Sequence, residues 1–280
     1  MSNMRTWLLM GVLTVLLVTT GNLIGGPDGM MFMLVFAILM NFSGYWWSDK
    51  IATRMTRSKP VSEHEAPELY SMVRNLSLRA GLPMPRIYKT PSPQPNAFAT
   101  GRNPNHAVVA VTDGLMSLLS KDEIEGVLAH ELAHVKNKDI LVGSMAAMIA
   151  GAISMLANIT KWGLIFGGGR DSRDNPFGMI GLLATIIIMP IAALLVQMAI
   201  SRSREYGADA EGVKIAGRPD GLVNALLKLE RGAQAIPMQV NPAASHMFIV
   251  NPLSAGQSMA RLFSTHPPVA ERVARLRKIR

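Results

Sequence analysis

Gly126-Val-Leu-Ala-His130-Glu131-Leu-Ala-His134-Val135 decides how this chain is read. In a helix, residues four apart share one face, so His130 and His134 present two imidazoles one turn apart. That spacing suits two nitrogen ligands of a tetrahedral zinc ion, and Glu131, beside the first ligand, can reach a water at the metal. The same pair could be ordinary surface polar groups. Against that, Val127, Leu128, Leu132, Ala133 and Val135 would bury the helix, and buried imidazoles need partners. The helix is well bounded: Ser120-Lys-Asp-Glu123 has the form of a capping box, and Lys136 and Lys138 stand near the far end.

Upstream, Pro67 to Arg79 reads as a helix with Leu69, Met72, Val73 and Leu76 at helical spacing and Gly81 as its stop. The pattern then changes to short strands at Arg86–Lys89, Asn96–Thr100 and His106–Thr112, separated by Pro- and Gly-rich turns. These predict a small β-sheet beside the His130 helix. Asn96, Ala97 and Phe98 fall on a strand that could be an exposed edge, offering its backbone to an extended peptide substrate, or an ordinary sheet edge.

Of 280 residues, 49% are hydrophobic and 17% charged, below the roughly 25% usual in soluble domains, and mean hydropathy is +0.24. There is no Cys, which removes thiolate ligands and disulfides from consideration. Four runs carry no charge, residues 6–27, 29–48, 140–160 and 175–201, and each has the 20 or so residues that a transmembrane helix needs. The first two, joined by Gly25-Gly26-Pro27-Asp28, read as a membrane hairpin rather than a cleaved signal peptide, closed by an interfacial belt of Tyr45, Trp46 and Trp47.

A net charge of +9 could mean nucleic acid, but the basic residues flank the spans, where they meet the anionic headgroups of a lipid bilayer, so no nucleic-acid partner is expected. Arg5 precedes the first run, Lys50, Arg54, Arg57 and Lys59 follow the second, and twelve basic residues follow position 201. The expected division is a transmembrane hairpin at 1–48, a cytoplasmic catalytic part at 49–139, a second transmembrane hairpin at 140–201, and a second cytoplasmic part at 202–280. Both termini then face the cytoplasm.

A catalytic zinc takes three protein ligands and keeps a position open. After the fourth run, Ser201-Arg-Ser-Arg204-Glu205-Tyr-Gly-Ala-Asp209 places Glu205 and Asp209 on one helical face. Glu205 can be the third ligand while Asp209 accepts a hydrogen bond from the free ring nitrogen of a ligating His. On spacing alone, an acidic pair matched to Arg202 and Arg204 explains them equally well. Topology favours the ligand reading: two spans between His134 and Glu205 return the chain to the same side of the bilayer.

His-Glu-Leu-Ala-His at 130–134, Glu205-x-x-x-Asp209 and Ser264-Thr-His266-Pro-Pro268 together resemble the M48 family of membrane zinc metalloproteases, over nearly the whole chain. The resemblance implies a mainly α integral membrane protein with four transmembrane helices and an α+β, zincin-like (gluzincin) catalytic domain. It implies one Zn2+ per chain on His130, His134 and Glu205, with Glu131 as general base. It further implies a bacterial inner-membrane, multi-pass enzyme that cleaves misfolded or damaged membrane proteins and works alongside other membrane quality-control proteases. His266 takes the role of oxyanion donor by resemblance; by its own surroundings it reads as a helix-entry residue, with Thr265 able to cap a helix carrying Val269, Val273 and Leu276. Asp139 follows the motif as in the family, but on an ideal helix it faces away from His130, so a role near the metal requires the helix to end first. His64, His106 and His246 stay unassigned.

Three alternatives remain at this point. A branch of the same family that trims prenylated C-terminal peptides has more spans than the four visible here. A transporter or channel would be expected to carry charged residues within its spans, and none is present. The third is an inactive zinc-bound scaffold that retains partners without cutting; the residues for water activation are all present, which argues for an enzyme.

Overall fold

The computed structural model describes residues 2–145, 202–235, 249 and 267–279. The first two apolar runs form α1 (Ser2–Trp46), broken internally at Gly25 (φ −130°, ψ 15°) and Gly26 (φ 59°, ψ −146°). Gly26 sits in a region of φ that residues with a Cβ rarely enter, and Pro27 follows where a new helical arm begins and an N–H is not needed. The arms fold back on each other as the hairpin expected from sequence. Asn41 Nδ2 donates to Thr14 Oγ1 at 2.9 Å and to the Met10 carbonyl at 3.3 Å. The arms come close together at Gly21 and Gly29, where a Cβ on Gly21 would fall 2.3 Å from the Gly29 carbonyl oxygen.

The second arm, Gly25–Trp46, has 22 residues and is long and apolar enough to cross a membrane; the first apolar helix, Thr6–Asn22, has 17. At about 1.5 Å per residue the first arm spans roughly 26 Å, less than its uncharged run suggested, because the two glycines of the turn consume the end of that run. Of the run 140–160, residues 140–145 are described and begin a helix. The rest of that run, and the run 175–201, lie outside the described residues.

α2 (Ser48–Met55) continues almost directly from α1, Ile51 N donating to the Trp47 carbonyl at 2.8 Å. After it come β1 (Lys59–Pro60), α3 (Pro67–Ala80), β2 (Arg86–Thr90), β3 (Ala97–Thr100) and β4 (Val108–Thr112). The sheet order is β1-β2-β4-β3, with β1 antiparallel to β2, β2 parallel to β4, and β3 antiparallel to β4. Every residue of β4 is buried, which its unbroken apolar run Val108-Val-Ala-Val foreshadows. Two expected boundaries shift. Asn96 stops one residue short of β3, and His106 closes a 3-10 turn, Pro104–His106, instead of opening β4. β1 was not expected from sequence, since two exposed residues, one of them Pro, carry no strand period.

α4 (Asp113–Leu118) starts where Thr112 Oγ1 accepts from Leu115 N at 3.1 Å. α5 (Lys121–Lys136) carries the two histidines, and its Glu123 carboxylate accepts from Ser120 N at 2.8 Å, as the capping box requires. α6 (Arg202–Ala216), α7 (Asp220–Ala235), α3 and β3 all pack on α5, with α8 (Val269–Leu276) against α6 and α7. Val127, Leu128, Leu132 and Ala133 are fully enclosed by these neighbours. At about 1.5–3 kcal/mol for each buried Val or Leu, this packing outweighs the weak intrinsic amphipathicity of α5 and makes it the core helix. The result is mostly helical, with a small mixed sheet beside the histidine helix.

Candidate metal centre

The end of α5 places the first of the supporting groups. Lys138 adopts φ 60°, Lys138 N donates to the Val135 carbonyl at 3.1 Å, and Asp139 N donates to the His134 carbonyl at 2.9 Å. This is a Schellman ending with Lys at the left-handed position. It stops the helix after Lys136 and folds Asp139 back, so that its Oδ2 lies 3.5 Å from His134 Nδ1. The continuous helix that would have pointed Asp139 away is not formed.

α6 supplies the carboxylates. It approaches α5 closely because Gly212 has no side chain: a Cβ there would lie 3.0 Å from His130 Cα. Glu205 Oε2 is 3.8 Å from His130 Nε2, and Glu205 Oε1 is 3.6 Å from His134 Nε2. The two rings stand edge to face with centroids 4.8 Å apart. One donor atom from each of His130, His134 and Glu205 lies within 4.8 Å of the others. On the far side of the first ring, His130 Nδ1 is 3.0 Å from Asp209 Oδ1. Each imidazole thus has its Nδ1 turned to an aspartate and its Nε2 turned to Glu205, an arrangement that fixes the tautomer with the lone pair on Nε2.

Arg272 is the residue sequence reasoning missed. It is fully buried, its Nε donates to Asp209 Oδ2 at 2.9 Å and its Nη2 to Asp209 Oδ1 at 2.6 Å, and Nη1 donates to the Ile249 carbonyl at 3.2 Å. The two-pronged contact clamps Asp209 against His130 and ties α8 to the site. A signal was available: Arg272 follows Val269 by three residues and precedes Leu276 by four, so it sits on the apolar stripe of α8, where a charge needs an explanation.

Burial alone would raise the Asp209 carboxyl, but Arg272 and the His130 hydrogen bond override it and hold Asp209 at about 2. Glu131 goes the other way. Its burial pushes it above the usual carboxylate range, partly offset by the two imidazoles and by a hydrogen bond from the Ala99 amide. Burial would lower His134, but the Asp139 hydrogen bond and the charges of Glu205 and Glu131 push it up to about 9.

The charge count argues for a cation. Four carboxylates, Glu131, Asp139, Glu205 and Asp209, face two guanidinium groups, Arg204 and Arg272, leaving two negative charges in excess, of which a proton on His134 offsets one until a metal displaces it. A buried excess of that size is costly unless neutralised. A divalent ion at the meeting point of two Nε2 atoms and a carboxylate does this, and an N,N,O donor set suits zinc. The residues present therefore fit such an ion.

Asn96, Ala97 and Phe98 lie at one edge of the sheet, in and just before β3, and all three are buried. The Asn96 carbonyl accepts from Thr112 N, so in an antiparallel pair the Phe98 and Thr100 backbone also faces β4, while Ala97 and Ala99 turn to the edge that no strand pairs with among the described residues. The Ala99 amide reaches Glu131 from there. His266, proposed by resemblance as an oxyanion donor, and His246 lie outside the described residues, and the structure gives His64 and His106 no place at the centre.

Comparison with known proteins bears on the family. The sequence profile of peptidase family M48 matches residues 63–280. A protease HtpX homolog of Pelotomaculum thermopropionicum is 60% identical over 277 residues, covering 99% of this chain and 98% of that one. One from Desulfatibacillum aliphaticivorans is 56% identical, covering 98% and 89%, and one from Thermococcus kodakarensis is 53% identical, covering 99% and 95%. Among solved structures, the crystal structure of S. mikatae Ste24p matches with a TM-score of 0.50 at 20% identity, covering 98% of this chain and 67% of that one, a likeness of fold. With a sequence profile spanning most of the chain and relatives matching it end to end, the chain belongs to peptidase family M48 and is a metalloprotease.

Proposed function

We propose that the metal is zinc, one ion per chain, held by His130, His134 and Glu205. The observation that carries this reading is the convergence of two Nε2 atoms and one carboxylate whose supporting aspartates already fix both rings. When bound, zinc supplies Lewis-acid polarisation of a scissile carbonyl and a water whose pKa falls from about 15.7 to about 7. Glu131, buried and raised above the ordinary carboxylate range, is suited to take a proton from that water and hand it to the leaving amine. An extended substrate strand adds to the free edge of β3, pairing with the outward backbone of Ala97 and Ala99, and the Ala99 amide passes from Glu131 to the substrate. His266 donates to the oxyanion. Asp209, Asp139 and Arg272 act by holding the two ligand rings.

In the same reading, α1 anchors the enzyme in a bacterial inner membrane as the first of two transmembrane hairpins, with the catalytic parts at 49–139 and 202–280 in the cytoplasm. Its substrates are misfolded or damaged membrane proteins, and other membrane quality-control proteases share the task. The apolar hairpin, the aromatic residues at its end and the basic residues beyond them support this placement. The test is cleavage of an unfolded membrane protein by the purified enzyme in lipid. Cleavage should stop with a chelator and return with zinc; cleavage that persists in chelator-treated, metal-free enzyme would overturn the reading.

A further inference from the structure

α2 is built the wrong way round for a helix facing water. Ser48, Ala52 and Thr53, all small, are its buried residues, while Trp47 just before it and Met55 at its end are 47% and 44% exposed. Trp47, Lys50, Ile51, Arg54 and Met55 fall within roughly 140° of arc at 100° per residue. One face therefore mixes large apolar side chains with two cations, and it points away from the protein.

The opposite face is firmly seated. Asp49 pairs with Arg86 of β2, Ala52 packs with Phe98 and Ala110 on the outer side of the sheet, and just beyond the helix Ser58 Oγ bonds Thr90 Oγ1 at 2.6 Å. At its start, the Phe42 ring lies 6.1 Å from both the Trp46 and Trp47 rings, and Arg102 stacks over Trp46 at 4.6 Å. Asp49 is the one acidic residue between Gly29 and Ser62, and Arg86 occupies it. Lys50 and Arg54 form no ion pair among the described residues. An outward face of Trp, Ile and Met with uncompensated cations, continuous with an apolar hairpin, matches an interfacial helix on an anionic lipid leaflet.

We propose that α2 lies in the headgroup layer, with Lys50 and Arg54 binding the phosphates of anionic phospholipids and Trp47 and Met55 entering the acyl boundary. This contact fixes β3, through Phe98 on Ala52, at a set height and tilt above the bilayer, so lipid charge positions the strand that receives substrate. The proposal rests on the reading of α1 as a membrane hairpin.

The absence of Cys makes the test direct. A nitroxide is attached at Met55→Cys, and in a separate chain at Val35→Cys in the second arm, in nanodiscs of phosphatidylcholine with or without phosphatidylglycerol. Collision with oxygen and with a water-soluble nickel chelate reports depth. The expected result is a lipid-immersed label at 55 that sinks deeper with phosphatidylglycerol, and loss of that response in K50Q/R54Q, with apparent preference for the anionic lipid falling about fivefold per charge removed. A label at 55 open to the nickel chelate in both lipids, one shielded from both reagents by protein, or an unchanged response in K50Q/R54Q overturns the proposal while label 35 stays immersed. An aqueous label 35 overturns the membrane reading, and this proposal with it.

Discussion

Asp209 Oδ1 stands 3.0 Å from His130 Nδ1 while the same carboxylate accepts two hydrogen bonds from Arg272. One buried acid thus sets the orientation of a metal ligand and neutralises the one cation that reaches the site from α8. Its removal is felt in two separate measurements.

Asp209→Ala should weaken zinc affinity about 10–100-fold, since His130 loses the partner that fixes its ring. It should also destabilise the metal-free fold by about 3–5 kcal/mol, because Arg272 is left as an unpaired buried charge. Competition with a fluorescent zinc chelator and a denaturant titration check the two effects independently.

Pairing the changes separates them. Arg272→Met alone should cost about 3 kcal/mol by leaving Asp209 buried without its counter-charge. The double variant Asp209→Leu/Arg272→Met should recover most of that stability while zinc affinity stays low. A double variant that binds zinc like the parent would show that the aspartate serves packing only.

Zinc binding should be strongly proton-coupled. With His134 at about 9 in the metal-free chain, the ring carries a proton at neutral pH, and the metal must displace it. Lowering pH from about 9 should weaken apparent affinity roughly tenfold per unit. The same raised pKa stabilises the metal-free fold fully below the ordinary histidine value of about 6.5, and that contribution is lost as pH rises through about 9. Asp209 has the opposite sign: its contribution is present above 3.8 and lost as pH falls toward about 2. Calorimetry in buffers of different ionisation enthalpy counts the released proton; none released contradicts the assignment.

The hairpin should tolerate Gly11→Leu, where a Cβ meets nothing within 4 Å, and fail with Gly21→Leu, where it meets the Gly29 carbonyl oxygen at 2.3 Å. Cys placed at Thr14 and Asn41, whose side chains touch at 2.9 Å, reports arm pairing by disulfide formation. The crosslink should form in the parent and in Gly11→Leu and be lost in Gly21→Leu.

The residues legible in the sequence were those bound by local rules. Helical spacing brought His130 to His134 and Glu205 to Asp209, the capping box at Ser120 marked the start of α5, and Gly25-Gly26-Pro27 marked the hairpin turn. Asp139 was half legible, because its approach depends on Lys138 taking a left-handed conformation that nothing about a lysine announces. Arg272 was missed because its partner lies 63 residues away, and no local spacing links the two. α2 escaped notice because its small residues face inward, inverting the usual pattern. The outward backbone of Ala99 follows from strand register, which is set by pairing with β4 rather than by the composition of β3.

The central claim is that His130, His134 and Glu205 together hold the ion on which Glu131 depends. The most direct measurement is the zinc-to-protein ratio of purified Glu205→Ala, read beside Glu131→Gln. The account predicts that Glu131→Gln keeps about one zinc per chain without cleaving peptide, and that Glu205→Ala loses most of its zinc together with activity. A Glu205→Ala enzyme that retains a full equivalent of zinc would contradict it.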